Sequence, residues 1–176
     1  MSIFLIFMIA VSLSMDAFSL ALAYGTLNLD KKVIYKLSLI VGIYHFFMPL
    51  IGMFLGSSFL DIVPVNPSFI VFVILTIIGI QMIFETFKEE RKMELKNISQ
   101  LLIFGLAVSI DSFSVGIGME AISDNFLLCS CMFSLSSFIF TYLGLILGKK
   151  INLLIGKVST IIGGIVLVII GVFYLF

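Results

Sequence analysis

Charge is what this sequence has least of. Only 11% of its 176 residues are Asp, Glu, Lys or Arg, against about 25% in an ordinary soluble domain. So few charges cannot cover a water-exposed surface. The hydrophobic share is 61%, where a soluble chain has about 45–50%. A soluble enzyme, a nucleic-acid-binding domain and a disordered chain are all excluded on that ground. The formal net charge is zero, so no bulk field draws acidic partners. Cysteine occurs twice, as Cys129 and Cys131 within one apolar run. That spacing is neither a disulfide framework nor a metal knuckle, and it reads as packing. Histidine occurs once, as His45. No nucleotide-binding motif is present, so any transport work must draw on a gradient.

What fills the sequence instead is long apolar runs. A spanning helix needs about 20 residues, because about 30 Å of hydrocarbon is crossed at 1.5 Å per residue. Six segments qualify, at about 3–24, 36–59, 68–87, 98–119, 126–148 and 155–176. The first has no basic residue before it and is too long for a signal h-region, so a retained helix is expected. The reading is an all-α membrane protein with one transmembrane domain over 1–176. Its first repeat covers about 1–87, a charged linker about 88–97, and a second repeat about 98–176.

The ten basic residues are placed with one bias. All lie in or beside the first, third and fifth connections. The N-terminus, the second and fourth connections and the C-terminus have none. The positive-inside rule then puts the odd connections in the cytoplasm and both termini outside it. The two halves also resemble each other. Ser14-Met15-Asp16-Ala17-Phe18-Ser19 aligns with Ser109-Ile110-Asp111-Ser112-Phe113-Ser114, and the Gly52 to Gly56 stretch aligns with Gly144 to Gly148. Each half has three helices, an odd number, so the second starts from the opposite side. Inverted repeats of this kind are the architecture of secondary transporters, with the site near the midplane.

Asp16 and Asp111 fall deep in the first and fourth segments, each about 4 Å past the midpoint in opposite membrane directions. A carboxylate in hydrocarbon costs several kcal/mol, so each must face the bundle interior and meet a partner, a cation or a proton. No lysine or arginine lies at that depth. Two such acids make a cation site. Ser12, Asp16 and Ser19 share a helical stripe, and so do Asp111, Ser114 and Gly118. Ser14 and Ser109 point elsewhere on a regular helix, but would join the ion if the helices unwind there. Carboxylate, hydroxyl and carbonyl oxygens suit Mg²⁺, Mn²⁺ or Ca²⁺.

His45 sits mid-segment four residues before Pro49, as a candidate ligand or proton relay beside the acids. An imidazole there would favour Mn²⁺ over Mg²⁺. Pro49 removes a backbone donor and reads as a kink or gate. Gln81 and Glu85 lie one turn apart near the end of the third segment, and Glu85 is a candidate vestibule acid. Glu120 and Asp124 are candidates for an exit.

At these residues the chain resembles the MntP-type manganese efflux pumps of bacteria. The resemblance rests on Ser14-Met15-Asp16-Ala17-Phe18, Pro49-Leu50-Ile51-Gly52, the stretch from Gly79 to Glu85, and Ser109-Ile110-Asp111-Ser112. It departs where His45 replaces an expected polar or acidic residue and where Tyr24-Gly25 replaces Lys-Gly. The chain also resembles a sporulation membrane protein related to that family. The resemblance implies a small six-helix bacterial pump that exports Mn²⁺ from the cytoplasm. The inverted repeats and buried carboxylates lead to the expectation of a plasma-membrane transporter, not an enzyme, that works by alternating access in exchange for protons. Asp16 and Asp111 would be its central acids. The metal is the transported substrate, and no cofactor is expected. Expected partners are the cation and membrane lipid, with no nucleic acid and a homodimer left open. Export of another small cation or an amino acid, or a non-transporting sporulation role, are the alternatives. An intramembrane aspartyl protease is disfavoured, because Met15 and Ile110 precede the acids where such enzymes carry their own motifs.

Overall fold

A computed structural model describes residues 3–27, 29–62, 66–87, 95, 97–120, 125–148, 150 and 153–175. Among these every regular element is an α-helix. They are α1 (Ile3–Gly25), α2 (Lys31–Ile62), α3 (Pro67–Glu85), α4 (Ile98–Glu120), α5 (Phe126–Leu147) and α6 (Leu153–Leu175). Their starts follow local chemistry. Asn66 caps α3 by accepting from Ser68 N at 3.0 Å, with Pro67 in the first turn where its missing N–H costs nothing. Asn125 caps α5 by accepting from Leu128 N at 3.1 Å. The Gln100 side chain accepts from Asn97 N at 3.0 Å before α4.

One expectation needs correction: α2 begins at Lys31, not near residue 36, so Lys31 and Lys32 belong to its first turn and the connection before it is shorter. The six expected helices are present, and among the described residues five are long and apolar enough to cross a membrane. α3 itself runs over 19 residues, Pro67–Glu85, and its described apolar stretch is Ser68–Phe84. Pro49 lies inside α2 without ending it. The outer faces are covered with exposed Phe4, Phe54, Phe84 and Phe173, an apolar surface that lipid, not water, accommodates.

α2 packs on α4, α1 on α5 and on α6, α3 on α6, and α2 on α5, while α3 touches α4 only lightly. Gly52 of α2 meets the Phe113 carbonyl, Gly116 and Ile117 N of α4, and Gly144 of α5 meets the Phe18 carbonyl, Ala21 and Leu22 N of α1. Such backbone approach is how helices associate where no hydrophobic drive separates them from lipid. The core is split in two. One cluster includes Ile9, Leu13, Leu75, Ile78, Val115 and Phe133. The other includes Ala17, Ala21, Leu37, Val41, Phe104 and Val108. Along α1 and α4 the break falls at residues 14–16 and 109–114, the level of both acids.

Candidate functional site

The polar belt between the two apolar clusters opens into a cavity of about 270 Å³. Asp16 from α1 and Asp111 from α4 both line it. Gln81 and Met82 from α3 and Ser114 from α4 complete its polar and soft-donor lining, with Ile78, Val108 and Ile110 among its apolar walls. Local spacing explains the convergence. Asp111 and Ser114 stand one helical turn apart on one stripe of α4, and Ile78 and Gln81 do the same on α3. The light contact between α3 and α4 leaves the space that these side chains share. Asp16 and Asp111 are half-buried. Asp111 Oδ1 accepts from Ser112 N at 2.8 Å, which holds its carboxylate close to the α4 backbone.

The other sequence candidates go elsewhere. Ser14 is fully buried and donates to the Ala10 carbonyl at 2.7 Å, with Ser136 Oγ at 2.9 Å and Ser137 Oγ at 3.0 Å, so it joins α1 to α5. Ser109 donates to the Gly105 carbonyl at 2.7 Å and lies 2.8 Å from His45 Nδ1, joining α4 to α2. His45 is fully buried, its Nδ1 also 3.0 Å from the Val41 carbonyl, and it is not among the cavity-lining residues. With Ser109 Oγ–H committed to Gly105, the shared proton sits on Nδ1, and Nε2 has no hydrogen-bond partner among the described residues. Ser12 and Ser19 lie along α6 instead, Ser12 at Gly163 and Ser19 at Gly156. The side chain of Glu85, together with residues 88–94 and 121–124, lies outside the described residues, as does the side chain of Glu120.

Gln81 is the addition that sequence reading noted without assigning a role. The available signal was an amide within the apolar run of α3, one turn before Glu85. Among the described residues no three His, Cys, Asp or Glu side chains cluster as a metal cage. The cavity instead offers two carboxylates, an amide, a hydroxyl and a thioether. Carboxylate, amide and hydroxyl oxygens are a donor set for a divalent cation that keeps part of its water shell.

A multi-pass membrane bundle with two acids on one cavity belongs to the class of membrane transport proteins. The comparisons fix the family. The profile described as "Putative manganese efflux pump" matches residues 28–175. The chain is 34% identical to "Putative manganese efflux pump MntP" of Bacillus pumilus over 148 residues, 84% of this chain and 80% of that protein. It is 36% identical to the protein of that name from Bacillus velezensis over 151 residues, 84% and 80% of the two chains. The similarity to its counterpart in Oceanobacillus iheyensis, 34% over 172 residues, covers 97% of this chain and 94% of the other. No solved structure matches. The chain therefore belongs to the Mntp family, and it is a multi-pass protein of the cell membrane.

Proposed function

We propose that the protein exports divalent cations, Mn²⁺ foremost, from the cytoplasm by alternating access in exchange for protons. The observation that carries this reading is one cavity lined by Asp16 and Asp111 from different halves of the chain. The family to which the chain belongs supplies the metal. Asp16, Asp111, Gln81 and Ser114 form the proposed ion site. Ser12, Ser14, Ser19, Ser109 and His45 act from the helix seams around it. Glu85, one turn beyond Gln81, is the proposed vestibule acid. The emptied carboxylates would carry protons on the return.

Inverted repeats are part of the proposal, and paired contacts support them. Gly52 meets Phe113, Gly116 and Ile117 as Gly144 meets Phe18, Ala21 and Leu22. Ser109 meets His45 as Ser14 meets Ser137. Exchanging the halves turns the α1–α6 seam into the α4–α3 seam, and these two differ. α1 is closed on α6, with Gly163 against the Ser12 carbonyl and Met15, and Thr160 Oγ1 donating to the Met15 carbonyl at 3.4 Å. The α3–α4 seam holds the cavity. One equivalent seam shut and the other open is what alternating access requires. In this scheme α3 is a sixth, short span. Lys31, Lys32, Lys36 and Lys150 are exposed where α1 ends and α5 ends side by side at Gly25 and Gly148, which supports a cytoplasmic placement of that face.

The test is efflux from Mn²⁺-loaded vesicles of oriented protein. Asp16→Asn and Asp111→Asn, each still folded, should each lose about tenfold or more of the export rate, at least the scale seen when outer partners of a metal are removed. Full export by the double variant would refute the site.

A further inference from the structure

A second concavity lies on the lipid-facing side, between α2 and α5, and shares no lining residue with the cavity of Asp16 and Asp111. It has a volume of about 410 Å³ and is lined by Tyr35, Leu39, Ile43 and Phe46 of α2 and by Leu135 and Phe138 of α5, among others. Tyr35 and Phe138 meet edge to face at 6.1 Å, and Tyr142 stacks on Phe138 at 6.3 Å. The α2 residues recur at three- and four-residue spacing, so they form one stripe. From Tyr35 to Phe46 that stripe rises about 16 Å. This is close to one leaflet, about half of a 30 Å hydrocarbon core. The groove therefore runs from one membrane face to the midplane and stops.

Its face end is basic. Lys32 and Lys36 lie on the same α2 stripe as Tyr35, and both are exposed. α5 runs antiparallel to α2, with Gly42 against Ser134 and Tyr35 against Phe138, so the end of α5 and exposed Lys150 lie at the same end of the groove. A long apolar slot one leaflet deep, headed by ammonium groups, matches one kind of molecule. We propose that the α2–α5 groove is a binding site for an anionic phospholipid. One acyl chain lies along Leu39, Ile43 and Phe138, and the phosphate sits at Lys32 and Lys36. Tyr35 stands at the headgroup level, where aromatic rings with a polar tip settle. The inference stands apart from the transport reading, because no residue of the acid cavity takes part.

The chain has no tryptophan, so one introduced indole reports its own neighbours. In a Tyr142→Trp variant the indole stands at the groove rim. In an Ile169→Trp variant it stands on the exposed face of α6. Each is reconstituted with brominated phosphatidylglycerol or brominated phosphatidylcholine at equal mole fraction. The rim reporter should show a relative affinity for the anionic lipid about fivefold or more above that for the zwitterionic one. The preference should vanish with Lys32→Gln and Lys36→Gln, and the α6 reporter should show none. As a second readout, phosphatidylglycerol should raise the melting temperature of the unsubstituted chain and not that of the Lys32→Gln, Lys36→Gln variant. Equal quenching by both lipids at both positions would leave only ordinary annular contact and overturn the proposal. So would a rim reporter that neither lipid quenches, since the groove would then be covered by another copy of the chain.

Discussion

His45 shows how much one buried side chain decides. Its hydrogen bond to Ser109 is an interhelical polar contact, worth on average about 0.6 kcal/mol inside a membrane. Deleting the imidazole also opens a cavity between α2 and α4, and large-to-small changes there cost about 2 kcal/mol or more. Volume should therefore win over polarity. His45→Leu, which refills the space and removes an Nε2 without a partner, should melt higher in detergent than His45→Ala. Both variants lose the hydrogen bond, so equal melting temperatures would mean that the refilled volume contributes nothing. Ser109 keeps its bond to Gly105 in either variant. Gln81 tests the other side of the belt. Gln81→Leu removes an oxygen donor from the cavity in the α3–α4 seam, so it should weaken Mn²⁺ affinity about tenfold, read by metal competition.

At the scale of elements, the helices are held by backbone approach. A side chain at Gly116 would run into the Pro49 carbonyl and Cα, which cannot move without bending α2. Gly116→Leu should abolish recovery of folded protein, well beyond the roughly 1–3 kcal/mol of ordinary overpacking. The nearest atoms to a side chain placed at Gly118 are those of the Ile74 side chain, at 3.4–3.5 Å. Gly118→Ala should be tolerated, and its better helix propensity, about 1 kcal/mol, offsets the contact. Comparing yield and melting of the two variants separates packing from composition, since both glycines sit in the same helix. Pro49 gains a second role here. By sequence it is a kink or gate, and in the structure its carbonyl is the surface on which α4 rests.

At the scale of the whole molecule the prediction concerns sidedness. Cysteines placed at Lys31 and Lys150, in a background with Cys129 and Cys131 replaced by serine, should react with an impermeant thiol reagent from the same side. That side should be the cytoplasmic one. Labelling of the two positions from opposite sides would break the orientation and, with it, the repeat scheme. Helix positions were legible because an apolar run of about 20 residues leaves the backbone no other way to satisfy its hydrogen bonds in lipid. The two acids were equally legible, since a carboxylate inside such a run is costly enough to stand out. The true start of α2 was not, because Lys31 and Lys32 look like loop residues by composition and become helix by extending into the interfacial zone.

The sequence by itself determined what each helix is and which polar residues it buries, because hydropathy and helical spacing are local quantities. It marked Asp16 and Asp111 as the central acids, Ser14 and Ser109 as ligands only if the helices unwind, and His45 as ligand or relay. Only the tertiary structure decided that the two acids share a cavity with Gln81 while the serines and the histidine bond helix to helix. That division depends on which helices touch and which stand apart. α3 leans on α6 and leaves α4 loosely covered, and such a choice among near-equal apolar faces is made by close packing of the whole bundle, not by any one stretch of chain.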